Sequence, residues 1–267
     1  MPGDYRQAAP DGPAAYCQVV AAEPIYDRIG KGYAAQRIPE PTWVAQIHAA
    51  LGGAESVLNV GAGSGNYEPV DRSVIALEPS SAMLAQRHDE HPAVQGVAEH
   101  LPFPADSFDA ALGTLTVHHW TDQAAGLREL RRVSGRQVLV VYEPLVAHTF
   151  WMIDYFPESL ESPAESNAPT TATIGTVLDV VDVQTMWIPA ECSDGVAAAY
   201  WRRPESYLDP AVQRSMSLLA LLPHDVLARG AARLRSDLED GTWIARHGHL
   251  LEQDSADYGY RLVIAER

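Results

Sequence analysis

The stretch VLNVGAGSGNYEP, residues 57–69, decides the fold. Val57 to Val60 form a short apolar run of the kind that makes a buried strand, and it is cut off by Gly61, Gly63 and Gly65. Glycine after a strand permits φ > 0 and lets backbone N–H groups approach a ligand with no Cβ in the way. Four more runs of similar length follow: SVIALEP (73–79), VQGVAE (94–99), FDAALGTLTV (108–117) and RQVLVVYEP (136–144). Helical patterns lie between several of them. SSAMLAQRH (80–88) follows the second run, and TDQAAGLRELRRV (121–133) follows the fourth with Leu127, Leu130 and Val133 on one face. Strands alternating with helices imply right-handed crossovers and a parallel sheet covered on both faces, an α/β fold.

Ahead of the glycine loop, Trp43, Ile47 and Leu51 recur at four-residue intervals and predict a helix ending at Gly52-Gly53. Beyond Glu143-Pro144 the alternation loosens. FPESLESPAESNAPT (156–170) reads as a long loop, a place to expect gating of a substrate. DVVDVQTMWIP (179–189) predicts another strand, and Asp209-Pro210 suit the N-cap and first turn of a helix over 211–222. Leu227, Ala231, Leu234 and Leu238 mark a further helix closed by Gly241, and DYGYRLVIAE (257–266) returns to a strand. One domain over 1–267 is expected: a cofactor-binding core at 25–143, a substrate lid at about 145–178 and 190–253, and a last strand at 257–265.

The chain has 267 residues with 35 Asp+Glu against 19 Lys+Arg, a formal net charge of −16. Such a surface repels polyanions, so nucleic acid and anionic membranes are not expected partners. No apolar run approaches the ~20 residues of a membrane span, and the start has neither a basic nor an apolar leader region. A cytoplasmic protein, monomeric or homodimeric, is expected. Cys17 and Cys192 are too few for a disulfide framework or a thiolate metal site, and His247 and His249 have the wrong spacing for one helix face, so no metal is expected. Lys31 is the sole lysine, which leaves a Schiff-base mechanism little to work with.

Glu78, ending the second strand, can accept both hydroxyls of a ribose, so the loop and Glu78 together point to a nucleoside-containing cofactor across the strand ends. The dinucleotide fingerprint wants a small residue where Asn66 stands, and the eight residues from Asn66 to Ser73 leave room for hardly more than one helical turn. Both argue against NAD.

Five ordered motifs, VLNVGAGSG, ALEPSSAML, AEHLPFPADSFDAAL, LTVHHWTD and GLRELRRV followed by VLVVYEP, give residues 25–143 a resemblance to class I S-adenosylmethionine-dependent methyltransferases, in particular the small-molecule group called methyltransferase type 11. The resemblance implies a Rossmann-like, mostly parallel seven-stranded sheet with helices on both faces and a helical lid inserted before the last strand. It implies that Gly61, Ala62 and Gly63 line the methionine part of S-adenosylmethionine, Glu78 the ribose, Met83 the adenine face, Ala98 and Glu99 the adenine edge, and Thr114 the methionine amine. Tyr33 and Arg37 fall where related proteins close over the cofactor carboxylate. His119 matches a histidine common after the fourth strand, as base or acceptor ligand, while strand alternation would place His118 on the opposite face.

Glu143, Trp151, Tyr155 and Trp201 are the candidate contacts for the acceptor, an apolar or aromatic small molecule of secondary metabolism. Three departures, Asn59 for the usual acid, Val97 before Ala-Glu and the short crossover, predict modest cofactor affinity. Alternatives are a carboxylate O-methyltransferase of the trans-aconitate type, whose relatives also carry helices before the last strand, a non-catalytic cofactor-binding scaffold and, more distantly, an oxidoreductase.

Overall fold

A computed structural model describes Pro24, Tyr26–Asp27, residues 37–87 and residues 91–267. Among the described residues nine strands run β1 (Ser56–Val60), β2 (Ser73–Glu78), β3 (Ala93–Gln95), β4 (Phe108–Thr114), β5 (Ser134–Tyr142), β6 (Val180–Thr185), β7 (Ile188–Pro189), β8 (Ser255–Ala256) and β9 (Tyr260–Glu266). Seven of them form one sheet in the order β3-β2-β1-β4-β5-β9-β6. β1 to β5 are mutually parallel, and β9 inserts antiparallel between β5 and β6 with Tyr142 opposite Tyr260. This is the mostly parallel, Rossmann-like seven-stranded sheet that the sequence predicts.

Side-chain alternation puts half of each central strand on either face. Val138, Val140, Leu262 and Ile264 join one apolar cluster, with Trp43 and Ile47 of α1 (Pro41–Ala50). Leu139, Val141, Val263 and Ala265 join the other, with Leu127, Leu130 and Val133 from α3 (Gln123–Val133). The short helix α2 (Ser81–Leu84) begins on Ser80, whose Oγ accepts from Met83 N at 3.1 Å. Asp122 caps α3 in the same way through Ala125 N at 2.9 Å.

Between β1 and β2 there is no helix at all, only turns over residues 61–72. Tyr67 from this crossover is buried in the first cluster, and its ring lies 6.5 Å from that of Trp43. Not even the single helical turn for which the sequence leaves room is formed, and the apolar stripe of α1 covers that face.

The segment 156–170 is not the open loop expected from its composition. Pro157 and Pro163 each start a short helical turn, a 3-10 turn over Pro157–Glu161 and α5 (Pro163–Ser166), because a proline at the first helical position lacks only an N–H that would be unpaired anyway. α4 (Pro144–Ala147) precedes it and α6 (Thr171–Gly175) follows. The insertion before β9 carries α7 (Pro210–Ser215), α8 (Ser217–Ala220), α9 (His224–Glu239) and α10 (Thr242–His247). Asp209 caps α7 through Ala211 N at 2.7 Å, as its sequence predicts. Its start is less helical than expected, since residues 190–203 hold no helix. Among the described residues no helix is long and apolar enough to cross a membrane.

α9 packs so closely on Phe156 that a Cβ built on Gly230 would sit 2.4 Å from the ring and 2.6 Å from Tyr155 O. Gly230→Ala is therefore expected to destabilise the protein by about 1–3 kcal/mol. Gly53→Ala, where a Cβ meets nothing within 4 Å, should change stability little. Urea unfolding of both variants checks the contrast.

Candidate active site

The glycine loop is held by close approach. Gly61 has φ 66°, and a Cβ there would stand 1.8 Å from Thr116 Oγ1. Its N–H and that of Ala62 both donate to Leu77 O, at 2.8 and 3.1 Å, so these two amides tie the loop to β2 rather than pointing at a ligand. Gly63 N donates to Glu78 Oε2 at 2.8 Å, and Ser80 N donates to Oε1 at 2.9 Å. Glu78 is 5% exposed, and burial pushes its carboxyl above the usual range against the pull of those two amides. Each oxygen keeps a lone pair for a further donor, such as a ribose hydroxyl. Met83 is buried, with its Cε 3.5 Å from where a Gly63 Cβ would be. Ala98 is buried as well.

Asn59 lacks the acid expected in β1, and Glu68 supplies it. Asn59 Nδ2 donates to Glu68 Oε1 at 2.8 Å, while Arg87 Nη2 donates to Oε2 at 2.7 Å. Both charged side chains are 5% exposed. The carboxylate missing from the strand is thus restored from the crossover, paired and buried under the glycine turn. Glu68 and Arg87 were not picked out from the sequence, although Glu68 lies only nine residues beyond Asn59 in the same turn.

At the end of β4, Thr114 Oγ1 is buried with no hydrogen-bond partner among the described residues. The register pairs Asn59 with Leu112, so Thr114 lies beside Gly61 at the carboxyl edge of the sheet. An orphaned hydroxyl there, across β1 from Glu78 with its spare acceptor capacity and with Met83 over the turn, fits a nucleoside cofactor with an amino-acid tail. Leu115 follows with φ 50° and breaks the strand. The chain then makes a 3-10 turn, Val117–His119, and this reverses the expectation for the two histidines. His118 lines the cleft described below, its ring 5.3 Å from that of Tyr142. His119 instead lies against Tyr26, whose hydroxyl is 3.3 Å from Nε2. Burial pushes the His119 imidazole down to about 4 and His118 down as well.

Several expected contacts have other work. Arg37 forms a two-bond ion pair with Asp194, whose side chain is fully buried and also accepts from Tyr67 OH at 2.6 Å. Two nitrogens of the guanidinium are committed to this pair, and Arg37 also borders the cleft. Glu99 Oε1 accepts from Thr121 N at 2.7 Å and Asp122 N at 3.2 Å, so it pins the start of α3 instead of an adenine edge. Glu143 Oε1 accepts from Thr171 N at 2.6 Å and ties β5 to α6.

Trp151, Tyr155 and Trp201 do not line the cleft. They are buried in the core of the helical insertion, where Trp151 Nε1 donates to Trp201 O at 2.8 Å and Tyr155 OH to Asp237 at 2.8 Å. Arg202 and Arg203 bond backbone carbonyls at Gln253 and at Cys192 and Ala199. Burial pushes the Cys192 thiol up to about 12, in keeping with an inert role. Tyr33 and Cys17 lie outside the described residues.

The cleft itself opens between the carboxyl ends of β4 and β5, with the amino end of the reversed β9, and the helical insertion, spanning about 620 Å³ with its mouth. Leu115, Val196, Met216, Leu218 and Leu221 make its apolar walls, and Tyr26, Tyr142 and Tyr260 bring hydroxyls. A second chamber shares Tyr142, Glu165 and Tyr260 and extends toward Phe150 and Ile153. Neither chamber was legible as such in the sequence, because its walls come from many separated segments.

A parallel sheet with one reversed strand, a glycine turn braced by a buried acid and a cleft at the carboxyl edge define a nucleoside-cofactor enzyme of the Rossmann-like class. Residues 58–142 match the family described as methyltransferase domain. The chain is 30% identical, with a TM-score of 0.80, to a solved methyltransferase of Anabaena variabilis described as from an antibiotic biosynthesis pathway, over 87% of this chain and 99% of that one. It is 35% identical over 32% of its length to an uncharacterised methyltransferase, YcgJ, of Bacillus subtilis, and 29% identical over 38% to a chloroplastic 2-methyl-6-phytyl-1,4-hydroquinone methyltransferase of Oryza sativa. It spans 39% and 32% of the lengths of those two relatives. The chain belongs to the class I S-adenosylmethionine-dependent methyltransferases.

Glu78→Ala is expected to weaken binding of S-adenosylhomocysteine by about 1–3 kcal/mol, read by calorimetry, because two hydroxyls lose a charged acceptor; unchanged affinity would remove Glu78 from the site. The histidine pair adds a pH dependence. A histidine buried neutral with its folded pKa below the unfolded value of 6.5 contributes fully above that pH, and stability falls as the unfolded chain takes up the proton between 6.5 and about 4. The melting temperature should therefore drop across that window, and His119→Asn should flatten the drop.

Proposed function

We propose that the chain transfers a methyl group from S-adenosylmethionine to a small, apolar or aromatic acceptor held in the cleft, in specialised metabolism. The observation that carries this reading is the position of the cleft. It begins at Leu115, one residue beyond the orphaned Thr114 hydroxyl, so an acceptor in it abuts the place where a methionine tail fits. The cofactor brings the methyl on a positively charged sulfur, an activated group that needs alignment more than acid–base help.

The chain's own residues supply that alignment. The aliphatic walls exclude water, and the tyrosines orient a flat ring by edge contacts and hydroxyls. His118, held neutral by burial, faces the acceptor as a hydrogen-bonding group without adding charge. His119 acts as a positioning residue: it holds Tyr26 at the cleft wall. The segments 145–178 and 190–253 serve as the lid. The hydroquinone ring named for the rice relative and the antibiotic pathway named for the Anabaena neighbour are in keeping with such an acceptor.

Carboxylate O-methylation is the less favoured reading. A carboxylate acceptor would need a cation in the cleft, and the Arg37 guanidinium is engaged by buried Asp194 while Glu165 faces the same space. Incubation with S-adenosylmethionine and either a methylhydroquinone or a small tricarboxylate, followed by mass detection of added methyl, separates the two. Transfer to the hydroquinone is expected. Transfer to the tricarboxylate alone would reverse the assignment, and binding of S-adenosylmethionine without transfer across a broad acceptor panel would mean a scaffold.

A further inference from the structure

One carboxylate in the cleft has no part in aligning a ring. Glu165, on α5, lines both chambers with its side chain 12% exposed. Tyr142 OH donates to Oε1 at 3.1 Å, and His148 Nε2 lies 3.3 Å from Oε2. Tyr142 is the last residue of β5, so the rigid sheet edge fixes one oxygen. His148 is 35% exposed and connects the other to solvent. The remaining charged and titratable groups around this space, among the described residues, are His118, Tyr26, Tyr258, Tyr260 and, on the same cleft wall, Arg37 with its Asp194. Their arrangement leaves Glu165 as the carboxylate exposed to the cleft among the described lining residues, set among aliphatic walls. An acid in such surroundings is expensive unless hydrogen-bonded, and the two bonds it has leave acceptor capacity for whatever enters.

We infer that Glu165 is the catalytic group to which the acceptor's hydroxyl donates its hydrogen bond and then its proton, and that the acceptor is therefore a neutral phenol or enol. This rests on the methyl-transfer reading above. An anionic acceptor would set like charges together in a poorly solvated space. A cationic amine would shed its hydration shell among aliphatic walls, against one carboxylate already accepting two hydrogen bonds and with Arg37 bordering the same cleft. A neutral hydroxyl needs one acceptor and leaves no charge behind.

The balance of the step follows. The acceptor oxygen gains a C–O bond as the methyl's S–C bond breaks, and the S–C electron pair stays on sulfur as a neutral thioether. The acceptor's O–H bond breaks, its electron pair remains on oxygen, and the proton passes to the Glu165 carboxylate and from there through His148 to water. A hydroxyl oxygen becomes strongly acidic as it is alkylated, so a carboxylate is a competent acceptor and no phenolate need form beforehand.

The test is a titration of 4-nitrophenol, whose phenolate is coloured, with the full chain saturated with S-adenosylhomocysteine. The wild-type protein should bind the neutral form and raise the probe's apparent pKa by about one unit or more, because an anionic neighbour disfavours the phenolate. Glu165→Gln should remove most of that shift while S-adenosylhomocysteine affinity, read by calorimetry, stays the same and reports that the variant is folded. Glu165→Ala, which introduces no amide to be satisfied, should behave alike. An equal shift in wild type and both variants, tighter binding of the phenolate by wild type, or Glu165-dependent binding of benzylammonium in preference to nitrophenol would each overturn the inference. Failure to bind nitrophenol with S-adenosylhomocysteine binding intact would overturn it too and leave the methyl-transfer reading standing. Failure of the wild type to bind S-adenosylhomocysteine would instead sink that reading.

Discussion

Asp194 is an ionised side chain with no exposure to water, a situation that proteins tolerate only when the charge is paired and hydrogen-bonded. Its partners come from two distant places: Arg37, just ahead of α1, and Tyr67, in the crossover after the glycine loop. Burial first, and then the Asp194 charge, push the Tyr67 hydroxyl well above its ordinary range, so it remains a donor at any ordinary pH. Neighbouring bonds follow the same line. Asn66 Nδ2 donates to Arg37 O at 2.7 Å, and Ser193 N donates to Glu40 at 3.0 Å. The start of the insertion, the entry to α1 and the cofactor loop are thereby joined around one charge, and the cleft exists because they are.

The missing crossover helix has a related consequence. A normal first crossover would cover β1 and β2 and present a helix N-terminus to a phosphate. Here the turn is short, α1 takes over the covering, and the loop is braced from below by Glu68 and Arg87. The arrangement suits a cofactor whose tail is an amino acid rather than a pyrophosphate. It also accounts for Asn59: an acid there would stand directly against Glu68 Oε1 in a buried site, with Arg87 engaged at the other oxygen.

Local features were legible in the sequence. The apolar runs placed the strands, GAGSG placed the turn after β1, and Asp209-Pro210 placed a helix start, because each depends on neighbours within a few residues. What the sequence did not disclose depends on partners far along the chain. Arg37 and Asp194 are 157 residues apart, and Glu99 is engaged by a loop more than 20 residues on. The histidines were misplaced because strand alternation was carried one step too far: Leu115 leaves the strand in a left-handed conformation that nothing in a leucine announces. Trp151, Tyr155 and Trp201 form a hydrophobic core for an insertion too large to go without one, and composition alone cannot separate a core aromatic from a pocket aromatic. The acid at 165 was hidden inside a stretch whose Pro, Ser and Glu content resembles any solvated loop.

The reversed strand carries a consequence for how such a protein can diversify. Because β9 runs antiparallel beside β6, the insertion between them leaves and re-enters the sheet at adjacent backbone positions, joined by Met186 N donating to Tyr260 O at 3.0 Å. The entropy of closing a chain excursion whose ends are already pinned together grows only slowly with its length. Beyond the Asp194 contacts, the stretch from 195 to 259 can therefore be lengthened, trimmed or recomposed with little effect on strand register or on the glycine turn several strands away. Acceptor choice is in this way open to drift in the outer part of the insertion, while the sheet and the Asp194 contacts hold the cofactor turn fast.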